Sequence, residues 1–306
     1  MIDIVGRRYL YFAISALIIL PGLLALAIWG PPAAAIDFTG GNLLELRFDS
    51  ARRPAPASVV TLAEEAGIRE PLVQTAGESD LVIRSKPIEA DQKARLLASL
   101  EAEAGGPVTI LRDEHVGPSI GAEVAQRAVG AVALAVLGIL GFITYAFRGV
   151  PHAVRYGVAA ILAMLHDVLV VISVQVLLGR FLSWEIDALF LTALMTVIGF
   201  SVHDTIVVFD RIRENQRVHR RLRYDTLVNH SIVQTLGRSI NTQLTVMLTL
   251  LALLLFGGST TQHFVTILLI GVLSGTYSSI FNAAPILVVW ENREWRTWFR
   301  RKRAPA

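Results

Sequence analysis

Long apolar runs separated by short polar breaks dominate the chain. Six of them, residues 9–29, 128–147, 154–178, 188–209, 240–256 and 264–290, have the length of membrane-spanning helices, since a hydrocarbon core about 30 Å thick needs roughly 20 residues of helix. Residues 31–121, between the first two runs, follow another rhythm. The strand-like NLLELRF (42–48) precedes the helical PASVVTLAEEAGI (56–68), and PLVQTAG (71–77) with DLVIRS (80–85) reads as a hairpin pair. IEADQKARLLASLEAEAG (88–105) places Ile88, Leu96, Leu97 and Leu100 on one apolar face, and VTILRDEHV (108–116) closes the series. The order β-α-β-β-α-β predicts a ferredoxin-like split βαβ domain. That fold hosts many functions and identifies none.

Composition agrees with lipid as the main solvent. With 53% hydrophobic and 17% charged residues and a mean hydropathy of +0.54, the chain is too apolar for an ordinary soluble domain. The net charge of +3 does not point to nucleic acid, because the basic residues sit in short blocks beside apolar runs. Arg7 and Arg8 precede the first run, Arg148 and Arg155 separate the second from the third, and seven arginines lie from Arg211 to Arg238. Six basic residues follow the last run, whereas Arg180 alone lies between the third and fourth and none lies between the fifth and sixth. The positive-inside rule then places both termini in the cytoplasm. The first run is longer than a signal-peptide core and reads as an uncleaved anchor.

The expected organisation is an N-terminus with the first span (1–30), an extracytoplasmic domain (31–121), a bundle of spans two to six (122–290) and a basic tail (291–306). The bundle includes a basic cytoplasmic loop (210–238), whose amphipathic part reads as lying along the membrane surface. Cysteine is absent, which removes disulfides, thiolate metal sites and cysteine nucleophiles.

Asp204 and His203 fall inside span four, and Asp167 and His166 inside span three. A charged carboxylate there costs about 2.5 to 3.5 kcal/mol on insertion scales, so each acid is either a working group or a hydrogen-bonded packing element. Asp204 lies roughly 26 Å inward from the outer edge of span four and Arg238 roughly 29 Å inward from that of span five, at 1.5 Å per residue. The two are therefore expected to meet near the cytoplasmic side. An acid poised between burial and a guanidinium suits a proton relay; the other reading of Arg238 is a headgroup-level arginine. Asp167 counts to roughly 16 Å, near the midplane. His166 and His203 are titratable neighbours suited to proton exchange, although a hydrogen-bonded helix histidine is the commoner case. In span six, Gly271, Ser274, Gly275, Ser278 and Asn282 form a small, polar stripe that reads first as close helix packing.

Enzyme readings fare poorly. Asp167 and Asp204 differ by roughly 10 Å in estimated depth, too far for an aspartyl-protease dyad. The chain has no His-Glu-x-x-His motif and no phosphate-binding glycine loop. Neither a cofactor nor a metal is called for.

The chain resembles the SecF-type subunits of the bacterial SecD-SecF protein-export family. The likeness runs through DFTGG (37–41), VGPSIGAEV (116–124), LHDVLV (165–170), DTIVVFDRIREN (204–215), TLGRSINT (235–242) and SGTYSSIFNAAPILV (274–288), in that order. It implies an α-helical polytopic fold of the resistance-nodulation-division (RND) superfamily, a six-helix half bundle with a small ferredoxin-like α+β domain between helices one and two. SecD would supply the other half. The implied partners are the SecYEG channel, with YajC and YidC as further candidates, translocating preproteins, protons and the lipid bilayer. Among site residues, the resemblance implies proton-path roles for Asp204 and Arg238. At position 203 relatives often carry Asn where this chain has His.

The leading expectation is a non-enzymatic, proton-driven export subunit of the bacterial inner membrane. Two alternatives stand beside it: a scaffold for SecD in which the polar groups only pack, and half of a small-molecule exporter, for which the outer domain is small.

Overall fold

The computed structural model describes residues 2–49, 52–150, 152–182 and 184–296; the last ten residues of the basic tail lie outside them. The chain forms two units, one made of 32–130 with 181–188 and the other of 1–31, 131–180 and 189–306.

In the first unit, β1 (Gly41–Arg47), β2 (Leu72–Ala76), β3 (Asp80–Ser85) and β4 (Thr109–Val116) make an antiparallel sheet of order β2-β3-β1-β4. Helices α3 (Pro56–Glu65) and α4 (Ala90–Ala104) complete the expected β-α-β-β-α-β order. Register follows the apolar alternation. Leu44 pairs with Ile83 and Leu46 with Leu81, and these four join Val59, Leu96 and Leu100 in one buried core. Pro56 opens α3 where a missing N–H is harmless. Gln92 accepts a hydrogen bond from the Glu89 N–H at the start of α4, and Gly105, at φ +62°, caps its end.

Two sequence motifs meet in this unit. DFTGG forms the one-turn helix α2 (Ile36–Thr39) and the start of β1, and VGPSIGAEV leads into the long helix α5 (Pro118–Ala146). A Cβ on Gly121 would stand 2.7 Å from the Gly40 nitrogen and 3.0 Å from the Phe38 oxygen, both of them backbone. Only glycine permits that approach. Gly121→Ala is therefore expected to cost about 1–3 kcal/mol, read as a lower unfolding midpoint. Gly130→Ala on the same helix, with nothing within 4 Å of its Cβ, should be neutral or stabilise by up to about 1 kcal/mol.

Residues 181–188, which join the third and fourth spans, also pack in this unit. Ala35 N–H donates to the Ile186 carbonyl at 2.8 Å and Ile186 N–H to that of Ala33 at 2.9 Å. Arg84 pairs with Glu185 at 3.0 Å. Burial pushes the Glu185 carboxyl up; Arg84 counters this and Asp187 adds to it. The Asp37 carboxylate accepts from the Ala188 N–H at 2.8 Å, a favourable place for an anion at a helix start.

In the second unit, α1 (Arg8–Trp29), α5, α6 (Ala153–Leu182), α7 (Ala188–Val218) and α8 (Tyr224–Phe256) are followed by a sixth span. That span is α9 (Ser259–Ser278), a π turn (Ser279–Ala283) and α10 (Ala284–Glu291). Among the described residues, six helices are long and apolar enough to cross a membrane. The π turn stands just before Pro285, which has no N–H to continue an α ladder. The two ends of the described chain meet: Arg8 and Tyr9 both bond Glu294, at 2.5 and 2.6 Å.

One expectation is corrected here. Residues 210–238 are not a separate surface loop, because α7 runs on to Val218 and α8 begins at Tyr224. The reason is an apolar and amide face hidden among the arginines. Ile212, Leu227, Val228 and Ile232 are buried, and Asn215 donates to Ser231 at 2.8 Å and to Gln234 at 2.9 Å.

Candidate functional site

Asp204 lies on the buried face of α7, 2% exposed. Its Oδ2 accepts a 2.5 Å hydrogen bond from the Gln243 side-chain amide of α8. Gln243, Ser239 and Thr235 follow one another at four-residue spacing, all buried, so α8 presents a polar stripe to α7. On α7 itself, Ser201 lies one turn before Asp204 and is 1% exposed. Ser201 Oγ, Ser239 Oγ and Gln243 Oε1 are buried without hydrogen-bond partners. Buried polar atoms are nearly always paired. Three unpaired ones, on Gln243 itself, one turn from it on α8 and one turn from Asp204 on α7, leave hydrogen-bonding capacity unused in the seam near this acid.

Asp167 is built differently. It is 0% exposed on α6, and both its oxygens are engaged: Ser274 Oγ donates to Oδ1 at 2.6 Å and Ser278 Oγ to Oδ2 at 2.6 Å. His166 Nδ1 lies 3.0 Å from Oδ1, and its ring stacks on Tyr277 at 6.0 Å. Gly271 and Gly275 let α9 close on α7, their Cβ positions facing Val197 and Ser201. Asn282 donates to Ser15 of α1 at 2.9 Å. The stripe of the sixth span is thus a packing axis shared by α1, α6 and α7.

Of the residues singled out from sequence, the structure brings His166 and Asp167 together. It does not join Asp204 to Arg238. Arg238 is exposed and lines a cavity of about 450 Å³ with Asp210, Arg211 and Glu214. The register explains the difference. Contacts Asp204–Gln243 and Asn215–Ser231 align α7 with α8 so that Arg238, five residues before Gln243, sits about 7.5 Å from that level along the helix. Depth counts from span edges treat all helices as starting level, and these do not. His203 is exposed, with no hydrogen bond among the described residues. Sequence reasoning missed Gln243, Ser239 and Ser201; the four-residue spacing of polar positions in α8 was the available signal.

Comparison with known proteins bears on this geometry. Residues 97–293 match the family model of protein export membrane protein SecD/SecF, C-terminal. A protein translocase subunit SecF of Anaerolinea thermophila is 55% identical, the alignment covering 100% of this chain and 99% of that relative. One from Thermobaculum terrenum is 48% identical, covering 98% of each. A SecDF subunit of Thermus thermophilus is 38% identical over 85% of this chain, which spans 34% of that longer protein. The crystal structure of SecDF from Thermus thermophilus, a translocon-associated membrane protein, superposes with a TM-score of 0.82 at 34% identity. It covers 95% of this chain and 39% of that one.

Proposed function

The chain belongs to the SecD/SecF protein-export membrane family, and from that premise we propose that it is the SecF-type half of a complex with SecD. In this reading the complex sits in the bacterial cytoplasmic membrane, with both termini cytoplasmic. It uses the proton gradient to assist export of preproteins through the SecYEG channel. A Thermus relative that carries a SecDF name and is much longer than this chain supports SecD as the covalent or non-covalent other half.

The observation that carries proton coupling is the seam around Asp204. An acid at this depth is expensive, and three buried polar atoms beside it have hydrogen-bonding capacity to spare. A proton passing along such a line would be held on the Asp204 carboxyl and carried by water, with Gln243 and the two serines hydrogen-bonding and orienting that water. Arg238 lies on α8 about a turn and a half toward the arginine-rich end, exposed where Ser239 and Gln243 are buried. A slide of α8 along α7 by about 7.5 Å would bring its guanidinium level with Asp204, favouring the charged acid and releasing the proton.

Transmission outward has a physical candidate. The segment between α6 and α7 is held to the ferredoxin-like unit by a β bridge, the Arg84–Glu185 pair and the Asp37 contact. Motion of the helices bearing Asp167 and Asp204 would therefore pull on the outer domain.

Reconstitution with SecD in vesicles containing the channel tests this reading. A protonophore is expected to remove the stimulation of export that the complex gives, without disassembling it. Stimulation that persists in full without a gradient would favour a scaffold.

A further inference from the structure

At the arginine-rich end of the bundle, the α5–α6 turn, the last turns of α7, the start of α8 and the end of α10 enclose a cavity of about 480 Å³. That size lies within the range of small-molecule sites. Four arginines line it, Arg155, Arg213, Arg217 and Arg220, against one carboxylate, Glu291. Arg155 donates to Glu291 at 2.5 Å and Arg213 pairs with Asp210. Among the described residues, Arg217 and Arg220 have no carboxylate partner, so the cavity keeps a surplus of positive charge.

Its floor is fixed. Tyr156 is 3% exposed, stacked on Phe147 at 5.2 Å and set edge-on to Phe209 at 5.3 Å. Tyr156 lines the cavity, and its hydroxyl is buried beside Tyr224 and Gln216 without meeting hydrogen-bond geometry to either. An unused buried hydroxyl beneath an arginine rim suits an anion with several acceptor oxygens. Guanidinium groups match phosphate in paired hydrogen bonds.

The surroundings indicate the source of the phosphate. Along the same two helices Phe142, Tyr145 and Val154 are exposed apolar side chains, and Arg148 lies over the Tyr145 ring at 4.2 Å. Spanning helices emerge from the hydrocarbon at this end, where basic pockets between helices take anionic headgroups. We infer that this cavity binds the phosphate of an anionic phospholipid headgroup, with the acyl chains lying along α5 and α6.

The test uses the full chain in detergent micelles, with phosphatidylglycerol, phosphatidylcholine or inorganic phosphate added. Phosphatidylglycerol is expected to remain bound in native mass spectrometry and to raise the unfolding midpoint, and the other two are not. An equal rise with inorganic phosphate would make a free anion the ligand and overturn the lipid assignment. An equal rise with phosphatidylcholine would show that charge is not read at all, and would also overturn it. R217Q/R220Q should weaken phosphatidylglycerol binding about thirtyfold, since each basic residue at a membrane surface contributes about fivefold. Both arginines are exposed, so the variant should unfold at the parent's midpoint in phosphatidylcholine micelles. Tyr156→Phe, which leaves every charge in place, should weaken binding about fivefold. Unchanged affinity in both variants would sink the proposal.

Discussion

Replacing Asp204 by asparagine should abolish proton-driven stimulation of export while leaving the complex assembled. Asparagine has nearly the same shape and keeps an oxygen to accept the Gln243 amide, so the α7–α8 contact seen at 2.5 Å survives. What disappears is the proton exchange itself. A positioned acid or base commonly contributes 10²–10⁴ to proton-transfer rates, so flux across reconstituted vesicles should fall by about a hundredfold or more. Asp204→Glu retains a titratable group, one methylene displaced, and should restore part of the flux. Two measurements together decide the matter: proton flux by a trapped pH dye, and recovery of the complex by size-exclusion chromatography. If Asp204→Asn assembles normally and flux is unchanged, Asp204 has no part in coupling. If flux and assembly fall together, the residue's role is in packing.

The sequence reveals Asp204 because an acid among apolar neighbours has few explanations. It conceals Gln243, Ser239 and Ser201 because uncharged polar residues are ordinary in spanning helices, and their importance lies in what they fail to bond. Depth counting cannot supply the helix register: a five-residue offset between α7 and α8 is invisible until the side chains that set it, Asn215 with Ser231 and Asp204 with Gln243, are seen paired. The β-α-β-β-α-β order was legible, since Leu44 and Leu46, and Leu81 and Ile83, recur at strand spacing and Leu96 and Leu100 at a helical one. The strap at residues 181–188 was not. A linker this short carries no periodicity, and its hold on Ala33, Ala35 and Arg84 depends on contacts more than one hundred residues away in sequence.

Asp167 should behave in the opposite way to Asp204. Its two oxygens already accept from Ser274 and Ser278, and His166 stands beside them, so little capacity is left for a travelling proton. The neighbouring glycines bring the same face of α9 against α7, which makes this carboxyl a fastening between α6 and the sixth span. Asp167→Ala would leave two buried serine hydroxyls and the half-buried His166 ring without their acceptor. Each such loss costs about 1–3 kcal/mol in soluble proteins, whereas hydrogen bonds inside membranes average about 0.6 kcal/mol. A total of about 2–4 kcal/mol falls between these limits, enough to lower the unfolding midpoint clearly and reduce the yield of complex. Proton flux per assembled complex should stay close to the parent's. Asp167→Asn, which keeps one acceptor oxygen, should lose about half as much stability. The relay reading of Asp167 and His166 requires the reverse, a stable Asp167→Asn complex that no longer conducts. Flux normalised to assembled complex separates the two outcomes: a packing acid is felt in how much complex forms, a relay acid in what each complex does.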